Sequence, residues 1–343
     1  MTIGIAARGT AAGRAVLAGL AAVEAVGSGE IRGFGVFRAI APAGGPDRAL
    51  PDLALIDAET QDGGSAALVA DLARRGLLQA AEAATVAAVI SSGPDRPEPL
   101  IQFLAGSTAG LVTGHRRPDR PGADDVAVNL AALRLLEAGI APDRAVASVL
   151  DANPEVDAGL IAVTAEGLGM AETDRVRRRM DRGSARLAVR GGAAEVAVGE
   201  VAVGEVAVGE VAVLHNAIQP FEGLAALAAG AARMVLEAAL PPLPSVRLVP
   251  GMAIETGSAD GLWLAADGTV ERIVSANPSL AGLAGWTSGA VYLGTPVYRG
   301  GARVGTTVAE AYCRLDRGRI AEVAAGLATV SWNVGVSSSR SGI

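Results

Sequence analysis

The chain has 343 residues, 50% of them hydrophobic but only 3% aromatic, and a formal net charge of −7. Such an apolar share, mostly Ala, Val and Leu, excludes disorder over most of the length, and the negative balance without a broad basic face argues against nucleic-acid binding. All 29 basic residues are arginine, and there are two histidines, His115 and His215, and one cysteine, Cys313, which excludes lysine Schiff-base chemistry, a P-loop and an intrachain disulfide and leaves little for a zinc site.

Residues 2–8 are short and apolar and read as a buried strand. Residues 11–26 place Val16, Leu20 and Val23 at helical spacing and stop at Gly27-Ser28-Gly29. Strands are expected at 34–40 and 85–91, a short strand or turn at 53–56, and a helix over 65–84. Residues 100–104 and 109–113 read as two strands around Gly106-Ser107-Thr108, followed by a polar loop over 115–121. Asp124 is placed to cap a helix at 125–138, which Gly139 stops. Pro142 opens a second helix that ends before Pro154, and 158–164 returns as a strand. Two antiparallel helices between strands would cover one sheet face.

Six arginines, Arg175, Arg177, Arg178, Arg179, Arg182 and Arg186, form the one basic cluster, either a solvated face or an anion contact. Residues 195–214 are a tandem repeat, EVAVG three times and then EVAVL. A period of five matches neither a strand nor a helix, so the segment reads as duplication of a short unit within an ordinary strand. A helix follows at 221–239. The remainder is β-rich: a hairpin pairs 261–265 with 269–273 across Asp267-Gly268, with strands at 291–293, 297–299, 304–314 and 319–323, and a tail at 337–343. The expected organisation is a layered α/β (α+β) domain over 1–240, with 195–214 as an insertion, and a β-rich part over 241–336.

Several side chains are candidates for chemistry. His115 sits in the polar loop at a strand end, with Asp119, Asp124 and Asp125 near enough in sequence to hold a metal or orient the ring. Ser107 and Thr108 lie in a glycine-flanked turn suited to a nucleophile or an anion nest. Arg8, Arg116 and Arg117 are candidate anion contacts, and residues 7–13 resemble half of a glycine-rich phosphate loop. Cys313 reads as a small core residue in a reducing compartment. No basic segment followed by an apolar core opens the chain, and the longest uncharged stretch, 273–298, is broken by Pro278, Pro296 and several glycines. The expectation is a cytoplasmic protein, without a membrane or nucleic-acid partner, acting on a small molecule, with self-association left open.

Residues 109–167 resemble the helix-pair region of N-terminal nucleophile (Ntn) hydrolases, and in particular an uncharacterised bacterial Ntn-hydrolase-like family. The likeness is carried by Val112-Thr113-Gly114, by 133–139, by Asn153-Pro154 and by 163–167, together with the opening Met1-Thr2 and residues 5–8. The resemblance implies a four-layer αββα sandwich and hydrolysis of an amide C–N bond by the first residue of the mature chain. Removal of Met1 would expose the Thr2 hydroxyl beside an α-amino group of reference pKa about 7.7–8.0, a general base that needs neither lysine nor histidine nor a cofactor or metal. The developing oxyanion would then be met by backbone N–H groups or by Asn129 or Thr113. Two other readings stand beside it: a non-catalytic binder or sensor of an acidic ligand, and an enzyme centred on His115. Residues 260–297 also resemble the start of a PAS sensor domain, through the hairpin, Asn277-Pro278 and Gly285-Trp286.

Overall fold

A computed structural model describes residues 1–28, 31–43, 52–93, 96–190, 207–240, 243–324 and 328–334. Two units form, one of Met1–Val189 with Ala207–Leu240 and one of Arg190–Val206 with Pro241–Ile343. The tail at 337–343 and most of the repeat, 195–206, lie outside the described residues.

The first unit opens with β1 (Thr2–Arg8) and α1 (Ala12–Val26), followed by β2 (Gly35–Ala43) and β3 (Asp52–Thr60). The helix expected over 65–84 is two helices, α2 (Gly64–Arg74) and α3 (Leu78–Ala83), because Gly76 turns the chain at φ +69 between them. After β4 (Val86–Ser92), the strand expected at 100–104 is instead a 3₁₀ turn, Leu100–Phe103, entered from Pro97 and Pro99, which cannot donate to a ladder. A short β5 (Ala105–Ser107) and β6 (Gly110–Arg116) follow. The Ser107 hydroxyl accepts the Ala109 N–H, so it shapes the hairpin turn rather than presenting a nucleophile. Then come α4 (Val128–Glu137), α5 (Pro142–Asp151), β7 (Ala158–Val163), β8 (Leu168–Glu172), the four-residue α6 (Asp174–Arg177), β9 (Arg182–Arg190), β10 (Ala207–Asn216) and α7 (Phe221–Ala238). Asp124 does not cap α4. Its carboxylate accepts Val126 N–H in an Asx turn two residues upstream of the helix.

Six strands form one sheet in the order β3-β2-β4-β1-β10-β9, and four form another, β5-β6-β7-β8. β1 is central, antiparallel to both β4 and β10, with Thr2 opposite Ser92 and Asn216. Alternation along β1 sorts its side chains between two seams. Ile3, Ile5 and Ala7 pack on Leu20 and Val23 of α1 and on Ala228 and Ala232 of α7. Ala6, with Ile90 and Leu214 beside it, packs on Leu111, Ile161 and Val163 of the four-stranded sheet. The far face of that sheet, with Val112, Leu160 and Ala162, packs on Ala132 and Leu136 of α4 and on Val146 of α5.

The alanine- and glycine-rich composition of the helices has a packing cause. A Cβ at Gly19 would come within 2.9 Å of the Ala228 carbonyl oxygen, so α1 and α7 approach closer than larger residues allow. Gly13, in the segment resembling a phosphate loop, lies against the Ala81 backbone, and this close packing leaves no room for a phosphate.

The last repeat copy, residues 210–214, is part of β10 and supplies Glu210, which accepts from Arg8 on β1 and from Arg186 on β9, each at 2.7 Å. Removing two whole copies, residues 195–204, leaves that copy intact. The expected result is a soluble protein whose unfolding free energy in urea changes by less than about 1 kcal/mol, since the length of the connection between β9 and β10 changes closure entropy only slowly. An insoluble product would overturn the reading of 195–204 as a tolerated duplication.

The second unit holds β11 (Ser245–Arg247), β12 (Ile254–Thr256), β13 (Gly261–Leu264), β14 (Val270–Ser275), β15 (Ala284–Val291), β16 (Pro296–Arg299), β17 (Ala302–Thr307), β18 (Ala311–Asp316), β19 (Arg319–Val323) and β20 (Thr329–Val334). They form a seven-stranded and a three-stranded sheet over a core of Leu262, Ile273, Val297 and Leu315. β13 and β14 are the expected hairpin, turning at Gly268 with φ +87. The strand expected over 304–314 is two, β17 and β18. Cys313 is buried in this core, and burial raises its thiol pKa. Among the described residues the unit contains no α-helix, so the PAS likeness does not extend to that fold's helices. No helix among the described residues is long and apolar enough to cross a membrane.

Candidate functional site

The N-terminal end of β1 opens on a cavity of about 520 Å³ lined by Met1, Thr2, Arg96, Arg116, Arg117, Arg120, Pro121, Glu155, Val156, Asp157 and Arg175. Five separate segments build it. Thr2 comes from the central strand, Arg96 from the chain leaving β4, residues 116–121 from the end of β6, and Glu155, Val156 and Asp157 from the turn into β7, with Arg175 on α6 closing the set.

Register decides what stands beside Thr2. Directly paired residues of antiparallel strands share a face, so Ser92 and Asn216 flank Thr2 on the side facing the four-stranded sheet. All three are at least 98% buried. Ser92 donates its hydroxyl to the Met1 carbonyl oxygen and accepts from Arg96 Nη2 at 3.3 Å. Both polar atoms of the Asn216 amide lack a hydrogen-bond partner. A buried amide left unpaired is costly, and this one pairs in register with cavity-lining Thr2 without itself lining the cavity.

The arginines are held in different ways. Arg96 lies over the Phe34 and Phe103 rings, 5.9 and 6.0 Å from their centroids. Burial lowers its guanidinium pKa, and the charges of Arg117 and Arg116 lower it further against the opposing charge of Asp119. Arg116 ends β6 at φ +66, a left-handed conformation that costs a non-glycine residue roughly 1–2 kcal/mol. It is held there by Nε donating to Asp157 at 3.0 Å and by the Arg117 N–H on the Asp157 carbonyl at 3.1 Å. Burial alone would raise the Asp157 pKa, but the bond to Arg116 and the charges of Arg116, Arg179 and Arg175 outweigh it and hold the carboxyl below its ordinary value. Arg117 pairs with Asp119 at 3.3 Å.

The remaining sequence candidates lie elsewhere. His115 is not on a loop. It is inside β6 and fully buried, with Nε2 3.0 Å from Glu172 Oε1. Glu172 also accepts from Arg182 Nη1 at 2.7 Å. Gly159 makes room for the ring, since a Cβ there would fall on it. Asp124 and Asp125 are exposed in the turns before α4. Among the described residues no group of three His, Cys, Asp or Glu side chains is placed to hold a metal. Thr113 donates to the Val89 carbonyl at 3.0 Å and so ties the two sheets together. Asn129 donates to the Gln102 carbonyl at 2.7 Å and accepts the Leu130 N–H, which spends its amide on seating α4. Neither Thr113 nor Asn129 lines the cavity. Arg8 is at the opposite end of β1, bound to Glu210; only Arg116 and Arg117 of the three anion candidates reach the site.

Asn216 stands with His215 at a strand end after the repeat, a weak candidate from sequence, whereas Ser92 and Arg96 are not marked as candidates. The period-two pattern Ala212, Leu214, Asn216 does carry the signal for Asn216: it continues the buried row facing the second sheet. Nothing local marks Arg96.

His215, adjacent to Asn216, points the other way, toward the helices. It is fully buried, neither ring nitrogen has a hydrogen-bond partner, and a Cβ at Gly183 would overlap it. Burial, then the nearby His115 ring, lower its pKa to about 4, against the opposing pull of Glu172.

The fold and cavity define an α/β protein with an arginine-lined site at the start of its central strand. A family described as Domain of unknown function (DUF6963) matches residues 2–244, and the chain belongs to it. Of the cavity lining, all but Met1 falls inside that match. A second family, Domain of unknown function (DUF7259), matches residues 251–326. No curated protein matches the chain.

Proposed function

We propose that the chain is a hydrolase of a small amide whose nucleophile is Thr2, exposed by cleavage of the Met1–Thr2 bond. The observation that carries this reading is the position of Thr2: at the end of the central strand, in the wall of the cavity, flanked by Ser92 and the unpartnered Asn216 amide. The order of layers in the first unit, helices, six-stranded sheet, four-stranded sheet, helices, agrees with the αββα sandwich that the Ntn resemblance implies. His115, buried on Glu172 away from the cavity lining, does not favour an enzyme centred on that ring.

In this reading the Thr2 α-amine takes the proton from its own hydroxyl, directly or through one water, as Oγ1 bonds to the amide carbon. The carbonyl oxygen gains the charge, and the Asn216 N–H and the Arg96 guanidinium are the nearby donors able to stabilise it. Collapse breaks the C–N bond, and the ammonium returns its proton to the departing amine. A water, deprotonated by the same amine, then cleaves the ester on Thr2 and frees the acid. The sites of proton storage are all on residue 2, which is why a chain without lysine can run the cycle.

Intact-mass measurement and turnover of an amide panel test this together. The expected result is a mature chain beginning at Thr2, with activity retained in Thr2→Ser and lost by about 10⁴-fold or more in Thr2→Ala, the scale seen when a nucleophile is removed. A protein purified with the Met1–Thr2 bond intact and equal turnover by the Thr2→Ala variant would overturn it.

A further inference from the structure

The charge of the cavity says what kind of molecule it takes. Five arginines line it against two carboxylates, Glu155 and Asp157. Arg116 is satisfied by Asp157, and Arg117 by Asp119 just outside the lining. Arg96, Arg120 and Arg175 have no carboxylate within ion-pair distance among the described residues, and the Arg96 Nε is buried without a hydrogen-bond partner. An excess of positive charge in a partly enclosed space raises its own energy; burial is the first cause of the lowered Arg96 pKa, and the charges of Arg117 and Arg116 add to it against the pull of Asp119. A bound anion would relieve that repulsion.

Arginine is also the residue whose planar fork matches carboxylate and phosphate oxygens two at a time. The arginines differ in exposure: Arg96, Arg116 and Arg117 are half-buried, whereas Arg120 and Arg175 are exposed. Five guanidinium forks are more than a single carboxylate can accept. We infer that the site binds a small molecule carrying at least two negative groups, carboxylate or phosphate, one held at the half-buried arginines and the other at Arg120 and Arg175. This rests on the Thr2 reading for which bond is cut, and on the cavity alone for what is bound.

Calorimetric titration tests it, with citrate as the polycarboxylate, pyrophosphate as the phosphate source and N-acetylglycinamide as a neutral amide. Citrate or pyrophosphate should bind the wild-type chain saturably and more weakly as salt is raised, and the neutral amide should bind far less. Which of the two anions binds tighter assigns the ligand to carboxylate or phosphate. The double variant Arg120→Glu/Arg175→Glu alters two exposed side chains and should weaken the anion by about tenfold or more, the loss expected for two charge-assisted contacts. The Thr2→Ala variant should keep anion binding whether or not Thr2 is a nucleophile, so a failure of the hydrolase reading leaves this result standing. Equal affinity in the double variant, or no saturable binding of either anion, would overturn the inference.

Discussion

Acidification from pH 7 to pH 5 is expected to destabilise the first unit by about 2 kcal/mol, and by about 3 kcal/mol at pH 4, through His215 alone. The ring is fully buried and its pKa lies near 4 in the fold against 6.5 in the unfolded chain. A depressed histidine pKa means that the unfolded state binds the proton first. The stabilisation is therefore complete above about pH 7, drains away as pH falls through 6.5, and stops changing below the folded value. Asp157, Asp181 and Glu210 have pKa values held below the ordinary carboxylate range, so their contribution is lost mainly below that window. Urea midpoints at pH 7 and pH 5 read the effect, with His215→Gln as the control. The substitution should flatten the dependence whatever it does to the stability at pH 7. Identical pH slopes in both proteins would remove His215 as the cause.

The effect reaches the site through one peptide bond. His215 holds β10 on its helix-facing side, and Asn216, the next residue, stands beside Thr2 on the other. Loss of anion binding in acid should therefore follow the unfolding curve rather than precede it.

What was legible in the sequence follows from how local the signal is. β1, α1 and α5 were readable because apolar runs, helical spacing, Gly27 and Pro142 all act within a turn or two. The helix at 65–84 was readable as helical but not as two helices, since Gly76 is tolerable in a helix and only the packing decides that it turns. His115 looked loop-borne because it is followed by Arg116-Arg117-Pro118. In the fold β6 runs on to Arg116, and the pairing with Gly159 that buries the ring joins residues far apart in sequence. The cavity was the least legible feature. Its arginines come from three segments with no common motif, and the sequence cluster at 175–186 contributes only Arg175, because Arg182 and Arg186 turn to Glu172 and Glu210. Thr2 is marked in the sequence only by a resemblance and by a composition without lysine.

Replacement of Gly4 by alanine is expected to cost about 3 kcal/mol, the upper end for an overpacked core, and replacement by valine to prevent folding of the first unit. Gly4 lies on β1 facing the second sheet, two residues from Thr2. A Cβ there would come within 2.8 Å of the Gly114 carbonyl carbon and 2.9 Å of its nitrogen. Both obstacles are backbone, so no side chain can swing aside to accept the methyl group. Gly114 cannot retreat either, because it is itself pressed against the Gly159 carbonyl on β7. The two sheets thus meet through glycine backbones at this crossing, and any added atom must separate them. Separation would also stretch the Thr113 bond to Val89 and carry Arg116 away from Thr2, since both sit on β6 beside Gly114. The Gly4→Ala variant should therefore lose more anion affinity than its unfolded fraction explains. Gly230→Ala is the matching control: it lies in α7 with nothing within 4 Å of the new Cβ, and should stabilise by about 0.5–1 kcal/mol. Urea midpoints for the pair decide the matter. If Gly4→Ala falls within about 0.5 kcal/mol of the wild type, the range of ordinary surface substitutions, the glycine crossing does not set the spacing of the sheets.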